Sequence, residues 1–270
     1  MPEPGRRSGV WHGGRVPAYE AFASFYDEVM DDPGPRADRV ARWIGEFRPG
    51  AQTLLELGCG TGSLLARLPE VPVLTGLDSS PQMLAVAATK VPGARLVEGD
   101  MRTCSFGERF EVVCCVFDSL NHLLDFDEWT SVFETVHHHL ADDGLFIFDV
   151  NTVGELARLG EEPPWVYDFD GGTAVIDVIS AEALGEPVEG DVEVGQGGEV
   201  SSVWDIRVFE HVQGSRYSLH HEQIGELAVP LARVRAALAG RFELLDEMGD
   251  DGEHPTDSSV KGHFAYRRLC

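Results

Sequence analysis

Residues 52–62 read Gln52-Thr-Leu-Leu-Glu-Leu-Gly-Cys-Gly-Thr-Gly62, and they decide the fold. The apolar run Leu54 to Leu57, broken only by Glu56, reads as a buried strand. Glycines at 58, 60 and 62 then turn the chain into a helix expected from Ser63 to Leu68. Without a Cβ at those positions a ligand can lie against main-chain N–H groups and the positive end of the following helix. A dinucleotide fingerprint, G-x-G-x-x-G, would need glycine at 63, where Ser63 stands, and it does not require the acid at 56.

Working outward, Val73 to Leu77 is a second short strand that ends at Asp78. An acid at the end of the second strand of a doubly wound sheet can take both ribose hydroxyls of a nucleoside. A helix over 81–89 follows, then a strand over 94–98 closing at Gly99-Asp100-Met101. A fourth strand over 111–116 runs into Phe117-Asp-Ser-Leu-Asn-His-Leu123. A helix over 127–140, a turn at Asp142-Asp-Gly144 and a fifth strand over 145–150 complete an alternation that demands a parallel sheet covered on both faces. Ahead of it, 36–47 reads as a helix, and Tyr19, Phe22, Phe25, Tyr26 and Met30 recur at helical spacing, with Phe22 and Phe25 assigned to core packing. Residues 1–17 read as loosely attached.

After residue 160 the pattern changes. Residues 165–179, 200–212 and 216–227 read as antiparallel strands with a hairpin at Gln213-Gly214-Ser215, an inserted β lid. Between them, 182–199 holds six acids and no base, so it has little to bury. A helix over 229–239 and strands over 241–247 and 264–269 end the chain. The expected division is 1–50 for an N-terminal segment with lid helices, 51–160 for a cofactor core, 161–228 for the lid and 229–270 for completion of the core.

The E-x-G-x-G-x-G of 56–62 resembles motif I of class I S-adenosylmethionine (SAM) dependent methyltransferases. Gly76-x-Asp-x-Ser80-x-x-Met83-Leu84, Gly99-Asp-Met101 and the Tyr26-Asp-x-x-Met30 ahead of motif I are similar to further segments of that family. The resemblance implies a doubly wound, seven-stranded, mostly parallel Rossmann-like sheet, SAM as cofactor and S-adenosylhomocysteine as product. By the same resemblance Tyr26, Glu56, Gly58, Cys59, Gly60, Gly62, Asp78, Ser79, Met83, Asp100, Met101, Phe117 and Ser119 line the cofactor. Asp78 takes its ribose, Met83 and Met101 pack on the adenine, Asp100 meets the adenine amino group, and Tyr26 closes over the methionine end. With the lid, the chain resembles bacterial small-molecule N-methyltransferases, including those acting on amino sugars. Methyl transfer to an amine nitrogen is therefore the expected activity, with a small-molecule O-methyltransferase and a non-catalytic SAM-binding protein as alternatives. A methyltransferase for peptides or proteins would need an open groove.

Methyl transfer is an in-line displacement, so catalysis is chiefly positioning. Tyr26 and Phe117 suit the sulfonium cation, and Tyr26 and His122 are the expected catalytic residues. His122 lies past the end of the fourth strand, where open parallel sheets bind ligands, and serves as general base or acceptor anchor; its competing role is to cap the next helix. No metal is expected: Asp149 and Asn151 stand where metal-assisted O-methyltransferases collect ligands, but Val150 separates them. His137, His138 and His139 point about 100° apart on one helix and read as a solvated end.

Lys plus Arg is 21 against 46 for Asp plus Glu, a net charge of −25, which repels nucleic acids. The five cysteines, 59, 104, 114, 115 and 270, contain no C-x-x-C pair and fit a reducing cytoplasm. No stretch reaches the ~20 apolar residues of a membrane span, and Met1 to Val10 lacks a signal-peptide core. The expected partner is a small-molecule acceptor, with no nucleic acid and no membrane; a homodimer is compatible with the composition.

Overall fold

The computed structural model describes residues 19–269 except 20, 31, 69 and 181–197. The expectations for residues 1–17 and for nearly all of the acidic segment 182–199 lie outside the described residues. Seven strands form the main sheet: β1 (Thr53–Leu57), β2 (Val73–Asp78), β3 (Arg95–Glu98), β4 (Phe110–Cys115), β5 (Leu140–Asn151), β10 (Phe242–Met248) and β11 (Lys261–Arg268). Their order is β10-β11-β5-β4-β1-β2-β3, and β11 alone runs antiparallel to its neighbours. β1 sits between β4 and β2, so the glycine turn leaves the middle of the sheet.

Both faces of the sheet are buried because successive strand residues point to opposite sides. Leu55, Leu57, Val113, Cys115, Phe146 and Phe148 pack on one side, under α4 (Phe126–His139) and α6 (Leu231–Leu238). Leu54, Val112, Cys114, Leu145 and Ile147 pack on the other with α2 (Gly34–Phe47) and α3 (Pro81–Lys90). Ser80 caps α3 by accepting the Met83 N–H at 3.2 Å.

The lid is a separate antiparallel sheet of β6 (Trp165–Phe169), β7 (Gly172–Ser180), β8 (Val200–Gln213) and β9 (Arg216–Ala228), in that order. A turn at Asp170 and Gly171 splits the single strand expected over 165–179 into β6 and β7. α5 (Val153–Leu159), absent from the sequence reading, links sheet and lid; Thr152 caps it by accepting the Glu155 N–H. Among the described residues no helix is long and apolar enough to cross a membrane.

Other local expectations change. In place of a helix over 63–68 there is a turn and one 3-10 turn, Leu65–Arg67. Pro69 disfavours helical geometry at Leu68, and burial of Leu64, Leu65 and Leu68 holds the segment instead. The aromatic segment over 19–30 is turns around a four-residue helix, α1 (Tyr26–Val29), with Tyr19 at φ 70°. Phe22 is buried there, as expected, among lid residues Ile176, Ile206, Val208 and Ile224. The turn at 142–144 is absorbed into β5, with Asp143 at φ 57° and a register shift against β4. Of the three histidines only His138 is exposed. His139 is buried, with Nδ1 bonded to the Thr135 carbonyl at 2.8 Å and Nε2 accepting the Phe106 N–H at 3.2 Å.

Candidate active site at the carboxyl ends of the parallel strands

The glycine turn is tight for steric reasons that can be named. Gly58 has φ 68°, and a Cβ there would lie 2.6 Å from Ser119 Oγ, so the turn presses directly on the segment after β4. Ser119 donates its hydroxyl to the Val116 carbonyl at 2.8 Å. The Cys59 side chain faces inward: a Cβ on Gly76 would meet its sulfur at 2.7 Å. Burial pushes the Cys59 thiol far above its usual range, and its backbone N–H and C=O are bonded to the Leu77 carbonyl and the Gly62 N–H. Gly62 does not line the cavity; it lets the turn pack on Ala87 and Val91 of α3 and its C-terminal cap.

Asp78, at the end of β2, accepts the Gly60 N–H on one oxygen and the Ser80 N–H on the other, each at 2.8 Å. Glu56 is 1% exposed, and its Oε2 has no hydrogen-bond partner among the described residues. Burial, with Asp78 beside it, pushes the Glu56 carboxyl well above the usual range. A buried acid with an unmet oxygen at a ligand cavity calls for a donor or a cation from outside the chain.

α1 is latched over this turn through Asp27, which accepts Thr61 Oγ1 at 2.7 Å, Ser63 Oγ at 3.0 Å and Lys90 Nζ at 2.6 Å. Tyr26 thereby faces the cavity with its hydroxyl held protonated by burial. Opposite it, Phe117 and Asp118 have φ 59° and 54°, left-handed geometry at the end of β4 that costs about 1–3 kcal/mol per residue and collects at functional sites. The Arg36 guanidinium lies 4.7 Å from the Phe117 ring centre.

His122 ends a 3-10 turn, Ser119–His122, beyond β4. Its Nε2 is 3.0 Å from the Tyr19 hydroxyl, and its Nδ1 is 4.0 Å from Glu226 Oε1 on β9. Burial lowers the His122 pKa, against the pull of Asp118, the Gly225 backbone and Asp78. Asn121, next to it, is a structural clamp: it donates to the carbonyls of Asn151 and Leu227 and accepts the Asn151 N–H, so it joins β4, β5 and the lid.

Asp149 and Asn151 are committed to protein partners. Asp149 accepts the Asp118 N–H at 2.7 Å and lies 3.6 Å from His263 and 3.8 Å from Arg36. The Asn151 amide bridges Lys261 and Glu226. Asp118, His122 and Glu226 bring ligand atoms within 4.8 Å of one another. A cation already stands beside them, for Lys261 Nζ is 2.5 Å from Asp118.

These groups open into one cavity of about 1750 Å³, larger than the roughly 300–1,000 Å³ of ordinary ligand pockets, with room for a cofactor and a second molecule. Apart from Gly62, every residue expected at the site lines it. Asp100 does so with both oxygens held by Arg102. Sequence reading missed Tyr19, Arg36, Glu226 and Lys261. Glu226 had a signal: it shares a strand face with Ile224 and Ala228, a polar residue within an apolar series. Lys261 had none.

Residues 54–144 match the family model described as "Methyltransferase domain". The dTDP-3-amino-3,6-dideoxy-alpha-D-glucopyranose N,N-dimethyltransferase of Streptomyces fradiae is 35% identical over 133 residues, 47% of this chain and 52% of that one. The cypemycin N-terminal methyltransferase of Streptomyces sp is 25% identical over 240 residues, 87% of this chain and 89% of that one. The sugar N-methyltransferase KedS8 from Streptoalloteichus sp ATCC 53650 superposes with a TM-score of 0.73 at 23% identity, over 100% of both chains. The fold is thus that of class I SAM-dependent methyltransferases. In three of the curated relatives the matched stretch takes in 52 to 62% of the relative's own length.

Proposed function

We propose that this chain binds SAM along the glycine turn and transfers its methyl group to an amine nitrogen of a small molecule. The carrying observation is the shared cavity, with the unmet Glu56 oxygen and the Asp78 carboxylate at one part and the Tyr19–His122 pair at another. The residues present fit the cofactor. Asp78 would hold the ribose, Met83 and Met101 flank the adenine, Asp100 meets its amino group, and Glu56 receives a positive or donor group. Bound there, SAM supplies an electrophilic methyl on a sulfonium.

The protein's part is placement. α1, latched by Asp27, carries Tyr26 against the cavity, and the Tyr26 and Phe117 rings favour a cation beside them. His122 takes the acceptor's proton, and its lowered pKa keeps the imidazole neutral and able to accept one near pH 7. The amino-sugar N,N-dimethyltransferase of Streptomyces fradiae and the N-terminal methyltransferase of Streptomyces sp both act at an amine nitrogen. The enclosing lid favours the small molecule. A cytoplasmic location belongs to the same proposal, consistent with the free thiols of Cys59, Cys104, Cys114 and Cys115.

Calorimetry with SAM, S-adenosylhomocysteine and NAD tests the cofactor. Mass spectrometry of products from dTDP-3-amino-3,6-dideoxyglucose, simple primary amines, alcohols and a peptide with a free N-terminus then tests the acceptor. Binding of the two adenosyl cofactors in competition, with N-methylated product, is the expected result. NAD binding without SAM binding, or methylation of alcohols alone, would overturn the reading.

A further inference from the structure

The lid contributes a group to the base that the chemistry above leaves unused. Glu226, on β9, is 2% exposed. Its Oε2 accepts Asn151 Nδ2–H at 3.0 Å, and its Oε1 is the carboxylate oxygen 4.0 Å from His122 Nδ1, a ring nitrogen with no hydrogen bond of ordinary length, on an imidazole that the Gly225 backbone next to Glu226 also polarises. The other ring nitrogen meets the Tyr19 hydroxyl, whose proton is retained because burial raises the phenol well above its usual range. Tyr19, His122 and Glu226 therefore form a line, with imidazole in the middle and a carboxylate behind it. We propose that Glu226 is a positioning residue: its carboxylate favours the Nδ1 hydrogen of His122 and so leaves Nε2 as the proton acceptor, reached through the Tyr19 hydroxyl that is bonded to it.

The inference rests on the reading of His122 as base. In the step, an N–H proton of the acceptor's ammonium form passes to the Tyr19 oxygen as the Tyr19 hydroxyl proton passes to Nε2; the electrons of the broken N–H bond stay on nitrogen as its lone pair, and the cation formed on the ring is balanced by the Glu226 carboxylate behind Nδ1. The same logic orients the imidazole in hydrolytic triads.

The charges facing Glu226 set when the carboxylate exists. They are Asp118 after β4, Lys261 on β11, His122 itself and the neutral Tyr19 from the N-terminal segment. Burial, reinforced by Asp118, pushes the Glu226 carboxyl up to about 8, against Lys261 and the Asn151 amide. Below that pH the protonated carboxyl can donate to Nδ1, which drives the ring proton onto Nε2 and blocks the base. Above it the competent tautomer prevails, so turnover should rise with pH through the ionisation of Glu226.

The orientation of the neighbouring amide makes Glu226→Gln informative. Lys261 has only donors, so at 2.6 Å it fixes the Asn151 oxygen toward itself and the Asn151 NH₂ toward Glu226. A glutamine at 226 must then turn its oxygen to Asn151 and its NH₂ to His122 Nδ1. That donor selects the wrong tautomer without removing volume.

The test is ¹⁵N NMR of the histidine rings in the S-adenosylhomocysteine complex, which needs no acceptor. In the wild type above about pH 8, His122 should carry its proton on Nδ1; in Glu226→Gln it should carry it on Nε2. With dTDP-3-amino-3,6-dideoxyglucose or whichever amine is turned over, kcat should fall about 10²-fold or more, with the limb near pH 8 gone and S-adenosylhomocysteine affinity within threefold. A wild-type ring protonated on Nε2 at high pH, or a Glu226→Gln protein with unchanged tautomer and pH profile, would refute the assignment. The wild-type spectrum decides even if the variant fails to fold. Loss of the role of His122 itself would appear separately, as undiminished turnover in His122→Ala.

Discussion

Replacing Lys261 with Met should be among the costliest single changes to this site, and the cost can be worked from its surroundings. Its ammonium lies 2.5 Å from Asp118 Oδ1 and 2.6 Å from Asn151 Oδ1, with the side chain 10% exposed and that of Asp118 18% exposed. Burial alone would raise the Asp118 carboxyl, but Lys261 and Arg36 outweigh it and hold it below the ordinary range. At an effective dielectric of about 20, unit charges 4 Å apart interact by about 4 kcal/mol. Removing one partner of a buried pair commonly costs about 3–5 kcal/mol because the other charge is left uncompensated. Met fills much of the volume of the stem, so most of the loss is electrostatic. Urea denaturation at pH 8 should show a loss of about 3–5 kcal/mol, equivalent to about 6–20 °C in Tm for a domain of this size. At pH 5 the loss should shrink, since Glu226 is protonated and the stranded Asp118 can take up a proton. Adding Asp118→Asn should recover a large part of it, a coupling that a double-mutant cycle reads directly. A cost below about 1 kcal/mol at pH 8, or additive single and double variants, would refute the claim that this ammonium balances the buried acids.

His122→Ala should lower kcat by roughly 10²- to 10⁴-fold while SAM affinity, measured by calorimetry, stays within a few fold. Gly58→Ala should cost about 2–5 kcal/mol in chemical denaturation, the sum of left-handed strain and a clash with Ser119, and should weaken SAM binding. Because the Glu226 pKa is raised in the folded state, its contribution is full below its ordinary value and is lost as pH rises through about 8. The Tm of Glu226→Gln relative to wild type should therefore climb between pH 5 and pH 9 in the apoprotein, as read by scanning calorimetry; a flat difference would contradict the shift.

The parallel sheet and much of the cavity lining around the glycine turn were legible in the sequence because both are local patterns. A strand of period two, a glycine turn with positive φ and an acid at a strand end are each complete within a few residues. Glu56, Asp78, Met83 and Asp100 accordingly line the cavity where the motifs implied. Local pattern misled where a short-range signal met a tertiary constraint. The aromatic spacing over 19–30 implied a helix, but only Tyr26–Val29 is helical; Tyr19 and Phe22 lie in turns, packed edge-on against Tyr26 while reaching His122 and the lid core. His139 is buried instead, accepting the Phe106 N–H and packing edge-on to the Phe106 ring.

The charged cluster opposite the glycine turn was decided only in three dimensions. Asp118, His122, Asn151, Glu226 and Lys261 come from four separate stretches of chain, and no period links them. What gathers them is the antiparallel return of β11 beside β5, together with the Asn121 clamp that holds β9 to the end of the sheet. Buried charge then acts across those distances. A carboxyl at 226 or an ammonium at 261 is ordinary in the sequence and acquires its altered proton affinity or balancing role only when burial strips away water and leaves the other as its nearby counter-charge.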